Sequence, residues 1–378
     1  MRNRRERSVT IRRRRAVAAL LIGAMAVATG LSVALGDGTE SAAPGAPDAG
    51  DLTVRQLAGE RLVAGFDGRQ PPKRLREMIR SGELAGVVLF SENFSGRRSA
   101  RRLARGLQAI RRPKLLRDPL LVMVDQEGGL VKRLPGAPTA SAQEMGSRGA
   151  AFSGRQGRRT ARNLRGAGVN VDLAPVLDVG RPGGAIREEG RSFGATASKV
   201  SRTGVAFAEG LRAGGVATTA KHFPGLGAAD INTDVGVERI GLPKSTLRRV
   251  DEAPFESFAG AGGELVMMSS AIYPAFSERP AAFARPIATG ELRDRIGFEG
   301  VSVTDALQSV AVAAFGGPAK AGRAAARAGT DLLLFSDFHA AARAGAALRG
   351  ALRRHALPRA AFEASVQRVL DLRAGLGS

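Results

Sequence analysis

No cysteine occurs anywhere in the 378 residues. That excludes a disulfide framework, a thiolate metal site, a cysteine nucleophile and a lipid-modified N-terminal cysteine. Tryptophan is also missing, tyrosine occurs once, at Tyr273, and histidine three times, at His222, His339 and His355. Three scattered histidines do not make a histidine-rich metal centre, and no cofactor motif is present, so neither a metal nor a cofactor is expected. Without Trp a long glycan is not gripped by indole stacking, and the aromatic interleaving that stacks nucleic-acid bases is missing too. Acidic residues are few beside basic ones, 35 Asp and Glu against 57 Lys and Arg, for a formal charge of +22.

Such a charge suggests polyanions first, so its distribution matters. Residues 1–15 hold eight Arg and one Glu, which accounts for seven of the 22 charges and leaves +15 on the rest. Arg and Ala recur along the whole chain, with Arg where many proteins use Lys. The excess therefore reads as compositional bias rather than a dedicated nucleic-acid patch, and no nucleic-acid partner is expected.

The basic start runs directly into Ala16 to Leu35, a stretch without a charge. Residues 1–36 read as a signal peptide or membrane anchor: the apolar segment is long for a signal and just long enough to span a bilayer. Ala34-Leu35-Gly36 offers small residues for cleavage. The positive flank stays inside and the remainder is exported. Residues 37–50 are small, polar and rich in Pro and Gly, the composition of a flexible linker, and the folded domain is expected over 51–378. The expectation is an extracytoplasmic protein, secreted or membrane-anchored at a bacterial envelope whose anionic surface surrounds it. An uncleaved N-terminal segment would be its membrane contact.

Eight short apolar runs follow: Arg61 to Phe66, Ala85 to Ser91, Pro119 to Asp125, Gly168 to Val176, Gly215 to Ala220, Glu264 to Ala271, Gly300 to Thr304 and Gly329 to Phe335. Between them lie helical stretches such as Ser99 to Arg112, Arg155 to Ala167, Lys199 to Ala213 and Lys320 to Ala328. Continuous apolar strands alternating with helices imply a parallel sheet buried on both faces, and eight repeats suggest a closed (β/α)8 TIM barrel. A doubly wound open sheet is the alternative that periodicity leaves open.

A barrel concentrates chemistry at the C-terminal ends of its strands. Here Asp125-Gln-Glu-Gly-Gly follows the third run, Lys221-His-Phe-Pro-Gly the fifth and Asp305 the seventh. Asp305 could be a glycosidic nucleophile, or an N-cap for the next helix. Lys221 and His222 could clamp sugar hydroxyls, or be ordinary rim residues. Asp125 could grip a pair of hydroxyls, with Gly128 and Gly129 permitting close backbone approach, or could end a strand in a turn.

These segments, with Asn170-Val-Asp-Leu-Ala-Pro-Val, Gly190-Arg-Ser-Phe-Gly and Gly297-Phe-Glu-Gly-Val-Ser-Val-Thr-Asp, resemble the signature blocks of glycoside hydrolase family 3. The likeness covers residues 51 to 378 in order and is nearest to the single-domain β-N-acetylhexosaminidase branch. It implies a (β/α)8 barrel and a retaining mechanism with Asp305 as nucleophile. It also places Asp125, Arg133, Arg191, Lys221 and His222 where the family holds the terminal sugar. The implied reaction is hydrolysis of terminal N-acetylglucosaminides of cell-wall glycan or its fragments by an exported enzyme.

One segment departs from that pattern. The branch continues Lys-His-Phe-Pro-Gly with a block that ends Asp-Ser-His, whose His is the acid/base and whose Asp supports it. This chain reads Leu226-Gly-Ala-Ala-Asp230-Ile-Asn232-Thr-Asp234. Leu226 replaces a His, Asn232 the supporting Asp and Asp234 the acid/base. Leu130 stands for a usual Arg, and Ser270 for a usual His. Asp234 is the candidate acid/base by position, Asp230 the alternative on a loop that Gly225 and Gly227 make flexible by composition. Loss of catalysis, leaving an envelope glycan-binding protein, and another family 3 activity such as β-glucosidase stay open.

Overall fold

Eight parallel strands occupy the eight apolar runs, and their order in space is their order in sequence. In the computed structural model, which describes residues 47–377, they are β1 (Leu62–Ala64), β2 (Gly86–Val88), β3 (Leu121–Val124), β4 (Val171–Asp172), β5 (Ala217–Phe223), β6 (Leu265–Met268), β7 (Val301–Thr304) and β8 (Leu333–Phe335). Neighbours pair in parallel from β7 back through β1 and on to β8. The remaining seam is closed by a parallel bridge between Val303 and Leu332 and by the Thr304 N–H donating to the Leu332 carbonyl at 2.9 Å. An open doubly wound sheet has no such seam, so the (β/α)8 barrel stands.

Strand side chains alternate between two apolar layers. Val63, Leu121, Met123, Leu265, Met267, Val301, Val303 and Leu334 fill the barrel interior. Their neighbours Leu62, Ala64, Val122, Val124, Val266, Met268, Leu333 and Phe335 pack outward under the helices. Both layers are buried, which is why the strands read as unbroken apolar runs. The crossovers include Lys73–Arg80, Arg97–Gln108, Ala150–Ala167, Ala197–Arg212, Ala253–Gly260 and Pro318–Ala328. The helical segments anticipated from sequence fall on four of these.

The bottom of the barrel is sealed by the last helix, Arg359–Gly375. Its Val369 and Leu372, with Leu376 beyond it, join the interior layer. Arg373 is fully buried, donates to the carbonyls of Pro119 (3.1 Å), Leu116 (3.0 Å) and Asp118 (2.7 Å), and pairs with Glu60. Asp331, just before β8, accepts from Arg293 and Arg368 and from the Ser302 N–H at 2.8 Å. Each buried charge there is partnered, as burial demands. With that end closed, the open end is the C-terminal rim.

Packing against the domain extends ahead of the expected boundary at Asp51. Ala49 is buried, its N–H donates to Gln367 Oε1 at 2.9 Å, and Gln367 returns a bond to the Pro47 carbonyl. The expected export segment, residues 1–36, and the linker as far as residue 46 lie outside the described residues. Among the described residues no helix is long and apolar enough to cross a membrane.

Candidate active site

Consecutive residues of a strand point to opposite faces, yet Lys221 and His222 both line the rim cavity. The pairing of β5 with β6 slips between Lys221 and Phe223, so that two residues oppose one, and this bulge turns both side chains inward. Asp125 arrives at the end of β3. Glu127 and Arg133 come from the small hairpin behind it, Gln126–Gly128 paired with Val131–Lys132. Buried Gln126 holds that hairpin: its Nε2 donates to the Leu134 and Ala137 carbonyls, and its Oε1 accepts from the Arg133 and Leu134 N–H groups.

The cavity has a volume of about 570 Å³. Along its floor charges alternate. Arg133 meets Asp125 at 3.5 Å, Asp125 meets the Lys221 ammonium at 2.7 Å, and Lys221 meets Glu127 at 2.7 Å. Glu127 accepts a bidentate pair from Arg191 at 2.9 Å each, and Arg191 reaches Glu189 at 3.1 Å. Burial alone would raise the Glu127 pKa, but Lys221 and Arg191 hold it down at about 2. Burial would likewise lower that of Lys221, and Asp125 and Glu127 raise it instead. The row is thus a set of fixed ions with defined donors and acceptors, the kind of surface that orients a polyhydroxylated ligand.

His222 is positioned by Asp178, which is fully buried. Asp178 Oδ2 lies 2.8 Å from His222 Nδ1, and Oδ1 accepts from the backbone N–H of His222 (3.1 Å) and of Leu226 (2.7 Å). A carboxylate only accepts, so Nδ1 carries the proton and Nε2 is left for the cavity. Asp305 follows β7, and its Oδ1 accepts from the N–H of Ala306 at 2.7 Å. Burial raises the Asp305 pKa above the ordinary 3.8; His222 lowers it, and the charge of Asp234 raises it further. The next helix, Val310–Ala313, begins after Ser309, so Asp305 is not its cap.

A family model for the glycosyl hydrolase family 3 N terminal domain matches residues 51–372. The chain belongs to glycosyl hydrolase family 3. It is 37% identical over 298 residues to an uncharacterized secreted glycosyl hydrolase of Arthroderma benhamiae, covering 77% of this chain and 83% of that one. It is 32% identical over 286 residues to a β-hexosaminidase of Alkalilimnicola ehrlichii, covering 73% and 80%. Among solved structures it resembles a family 3 β-N-acetylglucosaminidase from Paenibacillus, with TM-score 0.81 and 30% identity, covering 86% of this chain and 64% of that one.

In this family 3 barrel all seven residues singled out from sequence, Asp125, Arg133, Arg191, Lys221, His222, Asp234 and Asp305, line one cavity. Asp230 is exposed and is not part of the lining. Two expectations about glycine need correcting. Gly227 is packed so closely that a Cβ would lie 2.0 Å from the Val179 carbonyl oxygen, and Gly225, with φ +125°, would bring one within 2.6 Å of Asp251 Cβ. Both serve close packing rather than flexibility, and Leu226 between them is buried. At Gly128, with φ +100°, a Cβ would lie 2.3 Å from the Ala140 carbonyl oxygen.

Sequence reasoning passed over Glu127, Asp178 and Glu189. Glu127 lay inside a quoted motif, but its pairing with Arg191 spans 64 residues. Asp178 stands two residues beyond an apolar run and carried no signal by itself. Buried Asp172 accepts the Gln126 N–H at 3.0 Å while its Oδ2 has no partner, and burial raises its pKa well above the ordinary value. Asn232, where a supporting Asp was expected, spends its Oδ1 on the backbone N–H of Asp234 at 2.9 Å.

Proposed function

We propose that this chain is an exported retaining β-N-acetylglucosaminidase that removes terminal N-acetylglucosamine from cell-wall glycan or its fragments. The observation that carries the reading is the convergence of Asp305 and Asp234 on one cavity whose floor is the ordered row from Arg133 to Glu189. The hexosaminidase and acetylglucosaminidase relatives support the sugar, and the secreted relative supports export.

In this reading Asp125, Arg133, Lys221, Arg191 and His222 Nε2 hold the terminal sugar. The Asp305 carboxylate attacks the anomeric carbon as the bond to the leaving oxygen breaks, and Asp234 gives that oxygen its proton. Asp234 then takes a proton from water, whose oxygen displaces Asp305 from the sugar. Asp234 faces solvent in the free protein.

Turnover of nitrophenyl N-acetylglucosaminide that vanishes in Asp305→Ala tests the nucleophile; equal rates in the two proteins sink it. Asp234→Asn and Asp230→Asn are then compared on good and poor leaving groups. The acid's loss falls mainly on the poor one, and that pattern is expected for Asp234 alone. A panel of nitrophenyl sugars separates this activity from β-glucosidase. A second reading, a glycan-binding protein without catalysis, is favoured by Leu226 and by the diversion of Asn232 to backbone support. Binding of N-acetylglucosamine with no turnover of an activated substrate would establish it.

A further inference from the structure

The positive charge is not spread evenly. Residues 93–171 carry 17 Lys and Arg against 4 Asp and Glu, a net of +13, whereas residues 224–305 carry 8 against 12, a net of −4. A uniform bias would give a 79-residue stretch about +3 of the +15 that residues 16–378 hold. The expectation of simple compositional bias is therefore wrong for the folded part. The first stretch supplies the helices flanking β3 and the second those flanking β6, three strands apart around the ring of eight.

The basic side centres on two adjacent helices. Arg97–Gln108 carries Arg97, Arg98, Arg101, Arg102 and Arg105, and Ala150–Ala167 carries five more, at 155, 158, 159, 162 and 165. All ten are exposed, neither helix has an acidic residue, and none of the ten pairs with a carboxylate among the described residues. The helices touch: Gly168 sits against Ala104, and the Arg97 side chain lies across Gly166. Their charges form one surface. A hollow of about 260 Å³ lies between them, lined by Arg97, Arg98, Arg101 and Gly166. A second, of about 510 Å³, opens beyond the first helix and includes Arg69, Arg76 and Arg102.

We propose that this flank binds a flexible linear polyphosphodiester, independently of the glycosidase reading. Guanidinium groups recur about once per 5.4 Å turn, the scale of a phosphodiester repeat, and each suits bidentate phosphate contact. Hollows on either side of a helix admit a thin chain, whereas a planar bilayer meets only the ridges. Neither helix exposes a large apolar side chain for insertion into lipid, and no exposed aromatic on them offers a base platform.

The test measures binding of synthetic poly(glycerol phosphate) to the full chain across a salt series. Wild type is compared with the triple variant Arg97→Gln, Arg98→Gln, Arg101→Gln and with a control of equal charge loss on the acidic side, Arg249→Gln, Arg279→Gln, Arg285→Gln. The flank triple should weaken binding at least tenfold and flatten the log–log salt slope by about 2, at about 0.7 for each phosphate no longer neutralised. The control should change affinity less than twofold. Both triples should keep the wild-type melting temperature, which separates a weakened surface from a damaged fold. Equal weakening by both triples overturns the proposal, as does absence of wild-type binding at moderate salt. Adsorption to phosphatidylglycerol vesicles without polymer binding assigns the flank to lipid, and duplex DNA bound tenfold tighter per phosphate assigns it to nucleic acid. Either outcome also overturns the proposal.

Discussion

Glu127→Gln is the most searching substitution in the alternating row, because Glu127 is the buried anion between two cations. Its pKa falls from 4.5 to about 2 despite burial, because Lys221 and Arg191 outweigh desolvation. At 1.36 kcal/mol per unit this corresponds to about 3 kcal/mol of stability at neutral pH, within the roughly 3–5 kcal/mol that removal of one partner of a buried pair costs. Unfolding entropy of about 2.1 cal/mol/K per residue over some 330 residues converts this to a melting point lower by about 5 °C. The sign with pH follows from the depressed value. The contribution is complete above the unfolded pKa and is lost as pH falls through the folded one, so at pH 3 about 1.4 kcal/mol is left. Gln does not titrate, and the gap between the two melting points should therefore shrink from about 5 °C at pH 7 to about 2 °C at pH 3. Circular-dichroism melts of both proteins at both pH values are the assay. A variant within about 1 °C of wild type at pH 7, or a gap that persists in acid, would refute the claim that the row is a set of mutually held ions.

Three further outcomes are expected. Asp178→Asn leaves one oxygen for the two backbone N–H groups but sets an amide NH2 against His222 Nδ1 in place of the oxygen that orients the ring. It should lower kcat/KM on the nitrophenyl substrate by about 10²-fold, the scale of lost positioning, and an unchanged value would remove Asp178 from the machinery. The acid limb of the pH–rate profile should lie above 3.8, because burial and then the Asp234 charge raise the Asp305 pKa. Asp234→Asn should move that limb to lower pH on a substrate with a good leaving group; an unmoved limb would uncouple the two carboxyls. Finally, Leu130 on the cavity lining and Val235, next to Asp234, are 78% and 69% exposed, an apolar collar beside the residue proposed to face the leaving group. Paired Leu130→Ser and Val235→Ser changes should cost apolar aryl aglycones about tenfold in kcat/KM relative to sugar aglycones, at about 1 kcal/mol or less per truncated side chain. An unaltered preference would sever the collar from specificity.

The barrel is legible in the sequence for a physical reason. A strand buried on both faces has no polar side to interrupt it, so runs such as Leu121–Val124 and Leu265–Met268 stand out against the Arg-rich helices. Apolar runs that stop abruptly at Asp125, Lys221 and Asp305 locate the rim in the same way. What is not legible depends on packing between distant residues. Leu226-Gly-Ala-Ala reads as a mobile stretch because small residues are locally permissive, yet the Leu226 N–H is held by Asp178 and Gly227 lies against Val179. The same small residues that would let a free loop wander let a docked loop approach backbone closely. That docking also bears on the acid/base assignment. With Leu226 and Gly227 pinned, only the residues beyond them are left to turn, and they turn with Asp230 outward and Asp234 over the cavity. The Asn232 side chain closes the turn on the Asp234 N–H, where an aspartate would be free to hold a histidine ring. In the proposed assignment the carboxylate of Asp234 and the amide of Asn232 therefore belong together. The proposed acid is then carried by a backbone turn instead of being braced through its side chain.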